Sequence, residues 1–80
     1  MKNQRTASPL NRVFGLNVKR ARYDRRWTQK MLEEKSQVSH ATISDVETGN
    51  RGVSLDIAVR IARALGLSLD VLLKEPPSAR

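Results

Sequence analysis

Eighty residues, 39% hydrophobic and 29% charged with only three prolines, are enough for one globular domain with one modest core. There is no cysteine, which excludes disulfides and thiolate metal sites and fits a reducing cytoplasm, where the chain is expected. No apolar run approaches the roughly 18 residues of a membrane span, and MKNQRTASPLNR lacks the apolar segment of a secretory signal, so no membrane association is expected.

The formal net charge is +7, and its placement is uneven. The first 26 residues carry Lys2, Arg5, Arg12, Lys19, Arg20, Arg22, Arg25 and Arg26 against Asp24 alone, whereas residues 27–80 balance seven basic against seven acidic groups. Such a balance points to a polyanionic partner, either nucleic acid or an anionic membrane surface. A solvated helix face with a basic tail is the plainer reading of the same charges.

In chain order, residues 1–8 are polar and basic without periodicity and read as a flexible arm. Ser8-Pro9 opens a helix, because Ser caps and Pro at the first position gives up no needed N–H. Leu10, Val13/Phe14, Val18 and Ala21 keep a helical period, so one face is buried as far as Arg25–Arg26. Thr28 caps a short helix, Gln29–Lys35, with Met31 and Leu32 pointing inward. After a four-residue interruption at 36–39, Ser39 caps a third helix, His40–Thr48, which Gly49 terminates. Asn50–Val53 reads as a loop. Ser54 caps a fourth helix carrying Ala58, Ile61, Ala62 and Leu65, and Gly66 stops it. Ser68 caps a brief fifth, Leu69–Leu73, which Pro76-Pro77 prevents from continuing. The expected fold is all-α, a five-helix domain over residues 9–73 followed by a flexible tail, 74–80.

The short pair Gln29–Lys35 and His40–Thr48 is marginal in isolation and needs the flanking helices to bury its apolar faces. Such a pair, crossing steeply, leaves one side of the second helix free for a DNA major groove. With Ile43 and Val46 buried, His40, Ala41, Ser44, Asp45 and Thr48 face outward, small or polar enough to approach bases or phosphates.

Phe14–Leu73 resembles the lambda-repressor-like (XRE) helix-turn-helix family over about three-quarters of the chain. The matching phrases run in order: FGLNVKRAR, WTQKMLEEK, VSHATISDVETGNR and SLDIAVRIARALGLSLDVLL. The resemblance implies that Thr28 and Gln29 hold a phosphate. Ser39, His40, Ala41, Ser44 and Asp45 would face bases, with Thr42 nearer the backbone. Thr48, Asn50 and Arg51 would grip the sugar-phosphate chain. Arg22 and Glu47 match a family pair that forms an internal ion pair. Glu33 stands where the family usually has Ala, while Gln37 and Arg26 stand at frequent Gly positions. If the turn needs positive φ, Gln37 costs on the order of 1 kcal/mol.

Other readings carry less. His40 is the lone histidine, so no metal site is expected. Trp27 and Tyr23 are expected beside the first helix rather than as stacking platforms for bases. Glu33-Glu34 lie at adjacent positions that diverge on a helix, with no nucleophile nearby, and read as a solvated face; neither catalysis nor a cofactor is expected. Asp45 would accept from a cytosine amine or repel phosphate. Ile57, Leu69, Val71 and Leu73 are candidates for a symmetric dimer contact.

The expected function is a sequence-specific transcriptional regulator, a repressor binding double-stranded DNA at a palindromic operator as a homodimer. Two alternatives are an antitoxin-type autorepressor that also clasps a toxin protein (HipB-like) and a controller protein of a restriction–modification system.

Overall fold

The computed structural model describes residues 8–50 and 52–75; what the sequence leads one to expect of residues 1–7, Arg51 and 76–80 lies outside them. Five helices follow in order: α1 (Pro9–Asp24), α2 (Gln29–Ser36), α3 (His40–Thr48), α4 (Leu55–Leu65) and α5 (Leu69–Leu72), with no strand among the described residues.

Every helix starts on a hydroxyl cap. Ser8, Thr28, Ser39, Ser54 and Ser68 each accept from the backbone N–H three residues on. Each cap stabilises its helix by about 1 kcal/mol, a large contribution where helices are this short. Gly49 (φ 71°) and Gly66 (φ 72°) close α3 and α4 in the left-handed conformation. Gln37 (φ 62°) does the same for α2, and Arg26 (φ 60°) lies in the loop before it. Both therefore adopt the backbone that glycine takes without strain. The Gln37 amide donates to the Glu34 carbonyl at 3.2 Å, which offsets part of that cost.

The core gathers Phe14, Val18 and Ala21 from α1, Leu32 from α2, Ile43 and Val46 from α3, and Ala58, Ile61, Ala62 and Leu65 from α4. Val38 and Leu72 complete it. Two residues expected inside are exposed. Leu10, in the first turn of α1, is 56% exposed. Met31 turns outward, and its sulfur accepts from the Thr28 N–H at 3.5 Å, closing the cap of α2 from the other side.

Element ends shift by a residue or two. α1 stops at Asp24, and α2 runs to Ser36, whose hydroxyl accepts from the Val38 N–H at 3.2 Å. The interruption is thus three residues, not four. α5 closes at Leu72, with Leu73 as its cap.

Candidate nucleic-acid interface

α3 is seated on α1 at a place where no side chain intervenes. A Cβ added to Gly15 would overlap the Val46 carbonyl oxygen and come within 3.3 Å of the Glu47 Cα. One turn beyond, a Cβ on Gly49 would lie 2.9 Å from the Arg12 Cγ. The two glycines let the backbones of α1 and α3 approach closely, which fixes the height of α3 on the domain.

Polar contacts fix its rotation. Arg22 and Glu47 form a bidentate pair, Nε to Oε2 at 2.7 Å and Nη2 to Oε1 at 2.9 Å, with both side chains nearly inaccessible. Fork-to-carboxylate geometry is directional as well as strong. The Glu47 hydrogen bond is the main cause of a raised Arg22 pKa, against the opposing effect of burial. The same guanidinium donates through Nη1 to the Trp27 carbonyl at 2.8 Å, just before the cap of α2. Glu47 Oε1 also accepts from the Gln29 Nε2 at 3.0 Å. One buried pair therefore joins α1, the start of α2 and the last turn of α3.

On this frame His40, Ala41 and Thr48 stand exposed on α3, with Asn50 exposed beyond it, while Thr42, Ser44 and Asp45 are half-buried. Ile43 and Val46 take the buried side. The Ser39 hydroxyl is engaged in the cap: it accepts from the Thr42 N–H at 3.1 Å and donates to the Thr42 Oγ1 at 2.9 Å. The Thr48 hydroxyl donates to the Asp45 carbonyl at 3.0 Å. Thr28 and Gln29 lie at the N-terminus of α2, beside exposed Lys30. Helix N-termini present unpaired backbone N–H groups to anions. Gln29 has one amide hydrogen directed at Glu47 and keeps a second. Arg51 lies outside the described residues.

Two cations that add to the basic character of the N-terminal third have structural partners. Arg22 is neutralised by Glu47, and Arg25 donates to the Ala21 and Leu65 carbonyls at 2.9 and 2.8 Å, closing the end of α4. The charge of Arg22 is thus offset within the fold, while Arg25 keeps its charge but turns donors toward carbonyls. Trp27 is half-buried, with Lys35 Nζ 4.7 Å and Arg25 Cζ 5.8 Å from its ring centroid. Tyr23 is exposed beneath Arg22.

Sequence reasoning missed Gly15, Arg25 and Asn17. The Asn17 amide donates to the Leu72 and Lys74 carbonyls at 2.8 and 2.7 Å, tying α5 to α1. A helical glycine amid larger residues was the only signal for Gly15; the other two act across 40 and 55 residues and leave no local pattern. Among the dimer candidates, Ile57 and Leu69 pack partly against the core, while Val71 and Leu73 are exposed. No group of three metal-ligating side chains comes together among the described residues.

A family model described as helix-turn-helix matches residues 18–72. The fold is similar to the solved clp gene regulator ClgR from Corynebacterium glutamicum, with 30% identity, a TM-score of 0.76, and cover of 84% of this chain and 71% of that one. It is similar also to the restriction-modification controller protein C.AhdI from Aeromonas hydrophila, with 27% identity, a TM-score of 0.73, and cover of 78% and 94%. The controller C.Esp1396I, solved as a tetramer with its natural 35 base-pair operator, shares 26% identity at a TM-score of 0.74, with cover of 81% and 86%. No curated protein matches the chain in sequence.

Proposed function

Because the chain belongs to the lambda-repressor-like (XRE) helix-turn-helix family of DNA-binding transcription regulators, we propose that it represses transcription by binding a palindromic operator as a homodimer. The observation that carries the DNA-reading half of this is the locking of α3. Its outward residues are small or polar, and the Arg22–Glu47–Gln29 network sets them in register with the N-terminus of α2.

In this reading His40, Ala41, Ser44 and Asp45 meet base edges in the major groove, with Ser39 and Thr42 at the helix entry. Phosphates are held by Thr28, Gln29, Thr48, Asn50 and Arg51. Affinity comes mainly from cations outside the two reading helices, including those of the basic arm 1–8, because Thr28–Gly49 itself carries two basic against four acidic side chains. Selection of bound sites from random DNA tests this. Enrichment of an inverted repeat with half-sites about 10 base pairs apart is expected; a non-repeated site, or none, would overturn it.

The resemblance to two restriction-modification controllers, each with more than four-fifths of its length covered, favours a controller role over an antitoxin role. A restriction endonuclease gene beside this one would support that reading, and a toxin gene would favour the other.

A further inference from the structure

Among the described residues one sulfur atom is present, that of Met31; the sequence holds no cysteine, and its other methionine is Met1. Met31 occupies the third position of α2, where a capping box places Glu or Gln so that a side-chain oxygen takes the N–H of the cap residue. Here the thioether does so. Its Sδ accepts from the Thr28 N–H at 3.5 Å, while the Thr28 hydroxyl accepts from the Met31 N–H at 3.0 Å. A thioether is a weak acceptor. The first turn of α2 has no acidic residue and does have Lys30, so no side-chain charge in that turn complements the positive end of this eight-residue helix.

We propose that Met31 is an oxidation site at which a hydroperoxide tightens the start of α2 instead of disrupting it. The side chain is 37% exposed and takes no part in the core, so the reagent reaches it in the folded chain and the added oxygen displaces no core neighbour. A sulfur lone pair attacks one peroxide oxygen, and the S–O bond forms as the O–O bond breaks. The departing hydroxide takes the proton of the new S–OH group and leaves as water. Sulfur gives up two electrons and the peroxide gains them. A pair of thiols reverses the step, ending as a disulfide while the oxygen leaves as water.

The sulfoxide is polar where the thioether was not. Its oxygen carries partial negative charge and accepts more strongly, and the three rotatable bonds of the side chain let it swing onto the Thr28 N–H. Methionine oxidation does damage when it puts that oxygen into a core or an apolar interface. At Met31 it arrives at a helix start whose first turn holds no acidic side chain. α2 thereby acquires the kind of acceptor that Gln or Glu supplies in an ordinary capping box.

The consequence for DNA rests on the operator reading above. The cap engages the N–H groups of Thr28 and Met31, two of the four that a helix start leaves open. Those of Gln29 and Lys30 are the pair open to a phosphate, and oxidation of Met31 takes neither. The oxidised chain should therefore hold DNA as well as the reduced one.

The test treats the folded full chain with hydrogen peroxide and follows Met31 by mass spectrometry of peptide 31–35, which trypsin releases by cutting after Lys30 and Lys35. Thermal unfolding and binding to the operator obtained by selection are then compared before and after treatment. The expected result is a Tm raised by roughly 2–4 °C on oxidation. Met31→Gln should show a similar rise without peroxide, and Met31→Leu, which keeps Met1 and Trp27, should show none with it. A Tm that falls or stays constant, a rise that appears equally in Met31→Leu, or a peptide 31–35 that resists peroxide overturns the inference. So does a loss of operator affinity of about fivefold or more on oxidation. A chain that binds no selected DNA in either state overturns the operator reading, and the Tm then decides the cap by itself.

Discussion

The α-carbon of Gly15 is held against the carbonyl of Val46, so α3 rests directly on the backbone of α1. Gly15→Ala should push the two helices apart or distort one of them, costing about 1–3 kcal/mol as overpacking does. Thermal unfolding should show a Tm lower by several degrees. An unchanged Tm would mean that α3 is not seated where this contact puts it.

Removing the carboxylate of Glu47 leaves the Arg22 guanidinium buried without its partner. Glu47→Ala should destabilise the domain by about 3–5 kcal/mol, whereas the paired replacement Arg22→Met/Glu47→Leu should recover most of that loss. Urea denaturation of the single and double variants checks both. The Arg22 pKa is raised in the fold, so the pair's contribution is complete below the arginine range and is lost only as pH climbs through it. Stability arising from this pair should therefore be flat between pH 6 and 9.

Gln37 adopts φ 62° and Arg26 φ 60°, and neither can relax without moving the turn. Gln37→Gly should raise stability by about 0.5–1 kcal/mol, the αL strain relieved less the added freedom of the unfolded chain. Arg26→Gly should do likewise. Calorimetry of the two variants would show the gain, and a lower Tm for both would show that side-chain contacts there outweigh the strain.

Not all cations in the interface region should behave alike toward DNA. Lys30 is exposed beside the α2 N-terminus, and Lys30→Ala should flatten the dependence of log K on log[salt] by about one unit. Arg25 closes α4 through the Leu65 carbonyl, so Arg25→Ala should lower stability by about 1–2 kcal/mol and leave the salt slope unchanged. Fluorescence anisotropy across a salt series separates the two roles.

His40→Ala with Ser44→Ala should weaken operator binding by tenfold or more while sparing non-specific DNA, because in the proposed reading these side chains of α3 meet bases. An equal loss on both kinds of DNA would remove α3 as the reading element.

The five helices were legible because each announces itself locally, with a hydroxyl cap in front and a helical stripe behind. Gln37 and Arg26 were legible as departures only through the family resemblance, which puts glycine at both positions; neither residue type signals positive φ by itself. Met31 and Leu10 were misplaced because a periodic pattern assigns a side without saying whether anything lies there. Arg25 and Asn17 were invisible because their acceptors are carbonyls on distant helices.

Trp27, the only tryptophan, stands between Arg25 and Lys35 with its carbonyl held by Arg22. Its emission is therefore a native optical reporter of the joint between α1 and α2. Because that joint shares Arg22 with Glu47, slippage of α3 and loss of the cations flanking the indole should register in one spectrum, without any introduced label.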